Sequence, residues 1–245
     1  MCYMYSMSGH SHAKTIKHQK ELTDKKRGQM FSKMARVISV AVKEGGPNTE
    51  TNTKLRLAFE MAKRINMPKD NVERAIARGA GPSEGENLEE VSFEAYGPGG
   101  IALIIDGITD NKNRTLGEVK QALNQSGGKL VGEGAVRWMF ERKGTIVVKN
   151  QEIKPSDLEL MAIDAGAQDI YWHEDTLDIY TKQEDLENIR KTLEGKGLKL
   201  ESVSLDWVAK EGMDVDEKAR EDCQKLFDAL DENDAVQDVY SNLKD

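Results

Sequence analysis

Apolar residues in the first third of the chain recur at helical spacing. From Met30 to Val42 they return every three or four positions, which is the spacing of one buried helix face. Gly45-Gly46-Pro47 predicts the end of this helix, a second helix is predicted after Asn52, and a third runs from Pro68 to Gly79. Residues 1–80 are therefore predicted to form a three-helix bundle, followed by a polar, acidic linker at 84–90.

Beyond the linker the hydrophobic pattern becomes strand-like. "VSFEAY" and "IALIIDGI", joined by Gly97–Gly100, predict a hairpin, and a helix is predicted from about 111 to 126. The runs "TIVVK", "DIYWH", "TLDIYT" and "KLESVSL" follow, with helices after Pro155 and at 184–193. Their order is β-α-β-β-α-β, the order of a ferredoxin-like unit.

The last helix and strand, at 216–231 and in "VQDVY", are too little to form a domain. We predict that they complete the sheet begun at Val91. The predicted fold class is thus α+β: an N-terminal three-helix bundle followed by two α/β domains, the third domain being a ferredoxin-like βαββαβ unit inserted in the second. The predicted domains are 1–80, basic and helical; 81–134 with 206–245, a discontinuous α/β domain; and 135–205, the insertion.

Charge divides the chain at the same place. Residues 1–80 hold 16 Lys and Arg against 7 Asp and Glu, whereas the remainder holds 19 against 36. The overall net charge of −8 therefore hides a basic N-terminal region. Such asymmetry points to nucleic acid or another anionic surface as the partner of the basic half.

One predicted helix carries a basic stripe. No acid lies between Lys25 and Lys43, and a helical wheel places Lys25, Ser32, Arg36 and Lys43 together, opposite the predicted packing face. Lys and Arg on such a face bind phosphates, although a solvated helix surface is the alternative. The candidate nucleic-acid contacts are His10, Lys14, Lys17, His18, Lys20, Lys25, Lys26, Arg27, Ser32, Lys33, Arg36, Lys43, Lys69, Arg74 and Arg78.

A second candidate anion site lies at the start of the helix near 111. Asn111, Lys112, Asn113 and Arg114 surround a predicted helix N-terminus, where exposed amides attract anions. The alternative is a helix cap surrounded by solvated charges.

The sequence holds no recognisable catalytic or metal-binding pattern. It lacks a nucleophile elbow and a Cys/His signature, and His10, His12 and His18 have no further ligand at metal spacing. We predict that the protein is not an enzyme and binds neither metal nor cofactor. With two cysteines and strand-length apolar runs, we expect no disulfide framework and no membrane segment, and we predict a cytoplasmic protein.

Six separated motifs together resemble a known family. They are "SGHS…TIKH" (8–18), "NMPKDNVERAI" (66–76), "YGPGG" (96–100), "TDNKNRT" (109–115), "GG.L…GAV.WMFERKG" (127–144) and "VQDVYSN" (236–242). They are similar to the YebC/PmpR family, which includes the mitochondrial translational activator of cytochrome oxidase subunit I. The chain departs from the family at His12-Ala13, where Lys-Trp is common, so no stacking role is assigned there.

The resemblance implies a three-domain cytoplasmic protein that acts as a DNA-binding transcriptional regulator, with other members acting on translation at the ribosome. Together with the charge pattern, it predicts a nucleic-acid-binding regulator with DNA as its partner. One alternative is a ribosome-associated translation factor that binds ribosomal or transfer RNA. Another is a protein adaptor, and the acidic domains would suit a protein partner in any of these cases.

Overall fold

A computed structural model describes residues 24–81, 88–149, 153–173 and 175–244, with the side chains of the first helix described from Lys26 onward. Within this part of the chain the residues fall into two compact units. One unit is Phe140–Lys210, and the other combines the residues before and after it. The fold is α+β, as the sequence predicts, and it contains two four-stranded sheets.

Three helices open the larger unit: α1 (Asp24–Gly45), α2 (Thr53–Arg64) and α3 (Lys69–Ala80). Their facing side chains form one apolar core that includes Ile38, Leu55 and Val72. Buried Asn52 joins the first two helices, because its side-chain oxygen caps α2 at Leu55 N (3.0 Å) while its amide donates to Ala41 O (2.6 Å). The predicted three-helix bundle is confirmed.

Helix α3 crosses α1 at close range. A Cβ atom added at Gly79 would lie 2.8 Å from the Cβ atom of Val42 and would overlap the carbonyl oxygen of Ser39. The buried Ser39 hydroxyl donates to Ala75 O at 2.9 Å across the same crossing. Glycine at position 79 is thus required by packing, in addition to its place near the helix end.

The first sheet begins with a hairpin of β1 (Glu89–Tyr96) and β2 (Ala102–Thr109). Helix α4 (Lys112–Gln125) and the short strand β3 (Lys129–Val131) follow. The sequence pattern did not predict β3, which has only three residues and pairs antiparallel with the outer side of β1. In the turn between β1 and β2, Gly99 and Gly100 adopt φ values of 69° and 84°, a region that favours glycine.

The second unit lies between β3 and the end of the chain. It contains β4 (Phe140–Lys149), α5 (Pro155–Ala165), β5 (Asp169–His173), β6 (Thr176–Thr181), α6 (Leu186–Gly195) and β7 (Ser202–Ala209). The strands pair antiparallel in the order β5-β6-β4-β7, which is ferredoxin-like topology and confirms the predicted βαββαβ unit. Phe140 pairs with Ala209, so the unit begins and ends at neighbouring positions.

The chain then returns to the first sheet through α7 (Glu217–Asp231) and β8 (Val236–Ser241). Strand β8 pairs antiparallel with β2, giving the order β3-β1-β2-β8 and confirming that the C-terminal segment completes this sheet. Helices α4 and α7 contribute Leu123, Leu226 and Phe227 to its core, which also holds Phe93 and Leu103.

Among the helices in the ranges described above, none combines the length and the apolar character needed to cross a bilayer.

Candidate nucleic-acid interface

The candidate contacts that the structure describes lie on two of the three bundle helices, α1 and α3. Lys26, Arg27, Ser32 and Lys43 on α1 are exposed to solvent, as are Lys69, Arg74 and Arg78 on α3. Five of the candidate contacts lie outside the described residues, and so does the side chain of a sixth: His10, Lys14, Lys17, His18, Lys20 and, for its side chain, Lys25.

Lys33 is turned into the protein. It is 7% exposed, and its Nζ atom donates to the backbone oxygen of Asp231 at 2.6 Å and to the carboxylate of the same residue at 3.1 Å. Asp231 is the last residue of α7, where the helix dipole also favours a cation. Lys33 therefore attaches the bundle to α7, and a phosphate would have to displace Asp231 to reach it.

Helix α1 packs on two faces, whereas its periodicity predicted one. Val37 and Val40 contact Leu88 and Ile108 of the first α/β region in a second apolar cluster. Beside this cluster the Arg36 guanidinium donates to Ile108 O at 3.2 Å. Ser32 and Lys43 of the predicted basic stripe are exposed, whereas Arg36 lies against this second packed face. The prediction that the stripe lies opposite all packing is therefore wrong at Arg36.

Lys43 lies at the end of the same contact, where its Nζ atom donates to Leu88 O at 3.4 Å. Long basic side chains can cover apolar surface with their stems and place their charged heads at its edge. In sequence, a helix face of this kind has the same residue types as a fully solvated face. The signal that could have revealed the second face was Val40, which lies to one side of the main apolar stripe, whereas Val37 packs against both clusters.

On α3, Lys69 and Arg74 bond to nearby residues of the same helix, and their side chains remain exposed to solvent. Lys69 lies 3.4 Å from Glu73, and Arg74 donates to the backbone oxygen of Asp70 and to the Asn71 side chain. Exposed pairs of this kind contribute little to stability, about 0–1 kcal/mol. These side chains can therefore exchange their partners for a phosphate at low cost.

The second candidate site is built as a helix cap. Asn111 caps α4 by accepting from Arg114 N at 3.0 Å, and Asn111 N donates to Thr109 Oγ1 at 2.9 Å. The Arg114 guanidinium contacts Asp110, whose pKa is lowered by a hydrogen bond from its own backbone N–H and by this guanidinium. Lys112 and Asn113 are exposed beside this cap, and anion binding there stays a prediction.

Arg36 and Arg114, from different candidate sites, line one open cleft. Gln29, Glu118, Glu232 and Asp234 line it too, so its acidic residues outnumber the two guanidinium groups. The cleft therefore lacks the positive excess that a phosphate site requires.

Sequence reasoning missed a buried carboxylate in the first sheet. The Glu94 side chain is 2% exposed and accepts backbone hydrogen bonds from Gly134 N (2.8 Å), Val136 N (2.8 Å) and Arg137 N (3.0 Å). The Arg137 Nε atom lies 3.3 Å away. Burial by itself raises the pKa of Glu94, but the three N–H donors and Arg137 lower it below its usual value.

These bonds fix the turn at 132–139 against β1. Strand alternation puts Glu94 on the face opposite that of Phe93, where an acid is unremarkable in sequence. Its partners come from a turn about forty residues later in the chain, and no local pattern reports such a contact.

Metal binding has no candidate group in the ranges that the structure covers, because His, Cys, Asp and Glu do not gather there in a set of three that could hold an ion. His10, His12 and His18 lie outside those ranges.

Comparisons with known proteins cover both units. The sequence model of the TACO1/YebC N-terminal domain matches residues 11–82, and that of the TACO1/YebC second and third domain matches 88–243. Probable transcriptional regulatory proteins from Dehalococcoides mccartyi and Pseudothermotoga lettingae are 45% identical over 236 residues and 46% identical over 239 residues; these alignments cover 96–97% of this chain and 94% of each relative. The crystal structure of a conserved hypothetical protein from Aquifex aeolicus matches with a TM-score of 0.88 and 43% identity over 94% of this chain and 95% of that one.

Proposed function

This chain belongs to the TACO1/YebC family, and from that premise we propose that it is a cytoplasmic nucleic-acid-binding regulator of transcription. Its relatives are named probable transcriptional regulatory proteins, which supports a regulatory role. In this proposal the basic helical domain binds DNA through its phosphates, and the α/β domains position it or recruit a protein partner.

The observation that carries the proposal is the division of charge. The bundle region has more than twice as many cations as acids, and the rest of the chain has nearly twice as many acids as cations. Lys and Arg that neutralise phosphates release condensed counterions, which supplies most of the affinity for duplex DNA without reading its sequence. The acidic domains would repel the same polyanion and suit a protein surface of opposite charge.

We infer that only some of the candidate cations are available to bind phosphates. Lys33 is buried against Asp231, and Arg36 and Lys43 bond to backbone carbonyl groups of the first sheet region. We therefore assign the described part of the interface to exposed side chains, including Lys26, Lys69 and Arg78.

Replacing Lys26, Lys69 and Arg78 together by Gln tests this assignment. Each lost phosphate contact should reduce the slope of log K against log salt concentration by about 0.9 on duplex DNA, so the three together should reduce it by about 2.7. Fluorescence anisotropy with a labelled duplex across a series of salt concentrations measures this slope.

The matched control replaces three exposed lysines outside the bundle, Lys120, Lys182 and Lys191, by Gln. It removes equal charge, and its salt slope should stay at the wild-type value. Equal slopes for both triple variants would contradict the assignment. Stronger binding of structured RNA than of duplex DNA, in the same assay, would favour the ribosomal or transfer RNA alternative.

A further inference from the structure

Trp138 is 66% exposed, more than any other large hydrophobic residue in the described part of the chain. Tryptophan side chains are highly buried on average, so an exposed fraction this large is unusual. It follows directly on Arg137, within the turn that Glu94 holds. The ring is thus displayed on a fixed piece of backbone.

The turn also fixes the ring itself. The indole Nε1 atom donates to Ala135 O at 3.0 Å. Ala135 lies between Gly134 and Val136, whose backbone N–H groups donate to Glu94. The indole N–H is thus bonded inside the turn, while most of the side chain is exposed to solvent. A ring held in one orientation loses little conformational entropy when a ligand stacks on it.

Other aromatic and cationic groups share this face of the sheet. Arg137 donates to Ser92 Oγ at 3.0 Å, so the turn lies on the face of β1 that carries Ser92 and Glu94. Strand alternation puts Tyr96 on that face too, and Lys129, paired with Tyr96 across β1 and β3, projects to the same side. Tyr96 is 37% exposed and Lys129 is exposed.

We propose that Tyr96, Lys129, Arg137 and Trp138 form a stacking surface for an unpaired nucleobase. This inference rests on the proposed nucleic-acid function. Aromatic faces combined with nearby Lys and Arg are how proteins hold single-stranded nucleic acid, and the base contact tolerates any sequence because every base has a π face. Bases inside a duplex are stacked on each other, so this surface would bind loops, ends or opened strands.

The charges around this surface favour base stacking over phosphate binding. Arg137 pairs with buried Glu94 and lies 3.8 Å from exposed Glu133, which leaves Lys129 as the main cation for a flanking phosphate. The surface would add a contact of low salt dependence to the salt-dependent binding of duplex by the bundle.

The full chain is to be tested with two fluorescein-labelled probes: a DNA duplex, and the same duplex with a single-stranded thymidine extension. Wild type should bind the extended probe more tightly. Trp138→Ala should lose about 5- to 150-fold in affinity for the extended probe, the range expected for one stacked base, with duplex affinity unchanged. Trp138→Phe, which keeps a ring, should lose less.

Leu160→Ala is the matched control, because Leu160 is another exposed apolar residue at 58% exposure, and its affinities should equal those of wild type. As a second readout, the fluorescence difference between wild type and Trp138→Phe reports the Trp138 indole alone and should be quenched by the extended probe. Circular dichroism checks that each variant is folded.

The outcomes are distinguishable. Unchanged affinity of Trp138→Ala for the extended probe, or an indole signal that the probe leaves unaltered, would overturn the stacking surface and leave the proposed function intact; the exposed ring would then be assigned to a protein contact. Failure of wild type to bind either probe would overturn both proposals.

Discussion

Replacing Glu94 by Gln is expected to lower the free energy of unfolding by about 1.5 to 3 kcal/mol, the range for lost hydrogen bonds to a charged group. The carboxylate satisfies three backbone N–H groups and faces Arg137, and an amide of the same shape cannot accept from all of these donors. Urea denaturation followed by circular dichroism measures the change.

The stability lost on replacing Glu94 by Gln should become smaller as the pH falls. The pKa of Glu94 is lowered in the folded protein, so its contribution to stability is complete above the pKa of the unfolded chain and is lost as pH falls through the folded value. The difference in stability between wild type and Glu94→Gln should therefore be constant near neutrality and shrink under acid conditions. Glu133→Gln is the control, since this side chain is 87% exposed beside the same arginine and should change stability by about 0.5 kcal/mol or less. A Glu94→Gln protein as stable as that control would contradict the account.

Ending the chain at Lys210 is expected to abolish cooperative folding of the first sheet. The truncation removes α7 and β8 and exposes the apolar strand β2 as an open edge, which favours aggregation. It also removes Asp231, the partner of Lys33. The core residues lost are Cys223, Leu226, Phe227, Leu230, Val236, Val239 and Leu243. Size-exclusion chromatography and thermal melts of the truncated chain measure the effect.

The matched control removes residues 140–210 and joins Met139 to Glu211 through a short glycine-serine linker. Because Phe140 and Ala209 are paired neighbours, the two ends created by this deletion are close together. The remainder keeps its core and should melt cooperatively as a monomer. This pair of deletions also tests the predicted domain boundaries, and a well-folded 1–210 chain would show that the C-terminal segment is an appendage.

The sequence predicted the fold well because its signals are periodic and local. The three helices of the bundle, the ferredoxin-like order and the return of the C-terminal segment follow from apolar spacing and from the need to complete a sheet. Strand β3 was missed because three residues are too few to show a period.

The candidate site was predicted less completely, since contacts between distant residues decide it. Lys33 and Arg36 have the charge of phosphate ligands, yet their partners Asp231 and Ile108 lie far along the chain. For Glu94 and Trp138 the sequence predicted no role at all. The residues next to them do not indicate that Glu94 bonds to a distant turn or that the Trp138 ring is exposed. For each of these residues the amino-acid type is known from the sequence, but tertiary contacts determine whether its side chain is exposed to solvent.

The central claim, that the basic helical domain holds the nucleic acid, is tested most directly by lysine acetylation of the full chain with and without a DNA duplex. Peptide mass spectrometry then reads the modification at each lysine. Lys33 provides an internal reference, because its buried ammonium should react slowly in both states. We predict that duplex protects the exposed bundle lysines Lys26 and Lys69, together with Lys14, Lys17, Lys20 and Lys25, and leaves Lys120, Lys182 and Lys191 unchanged. Protection confined to the lysines of the acidic domains, or no protection under conditions of saturating binding, would contradict the account.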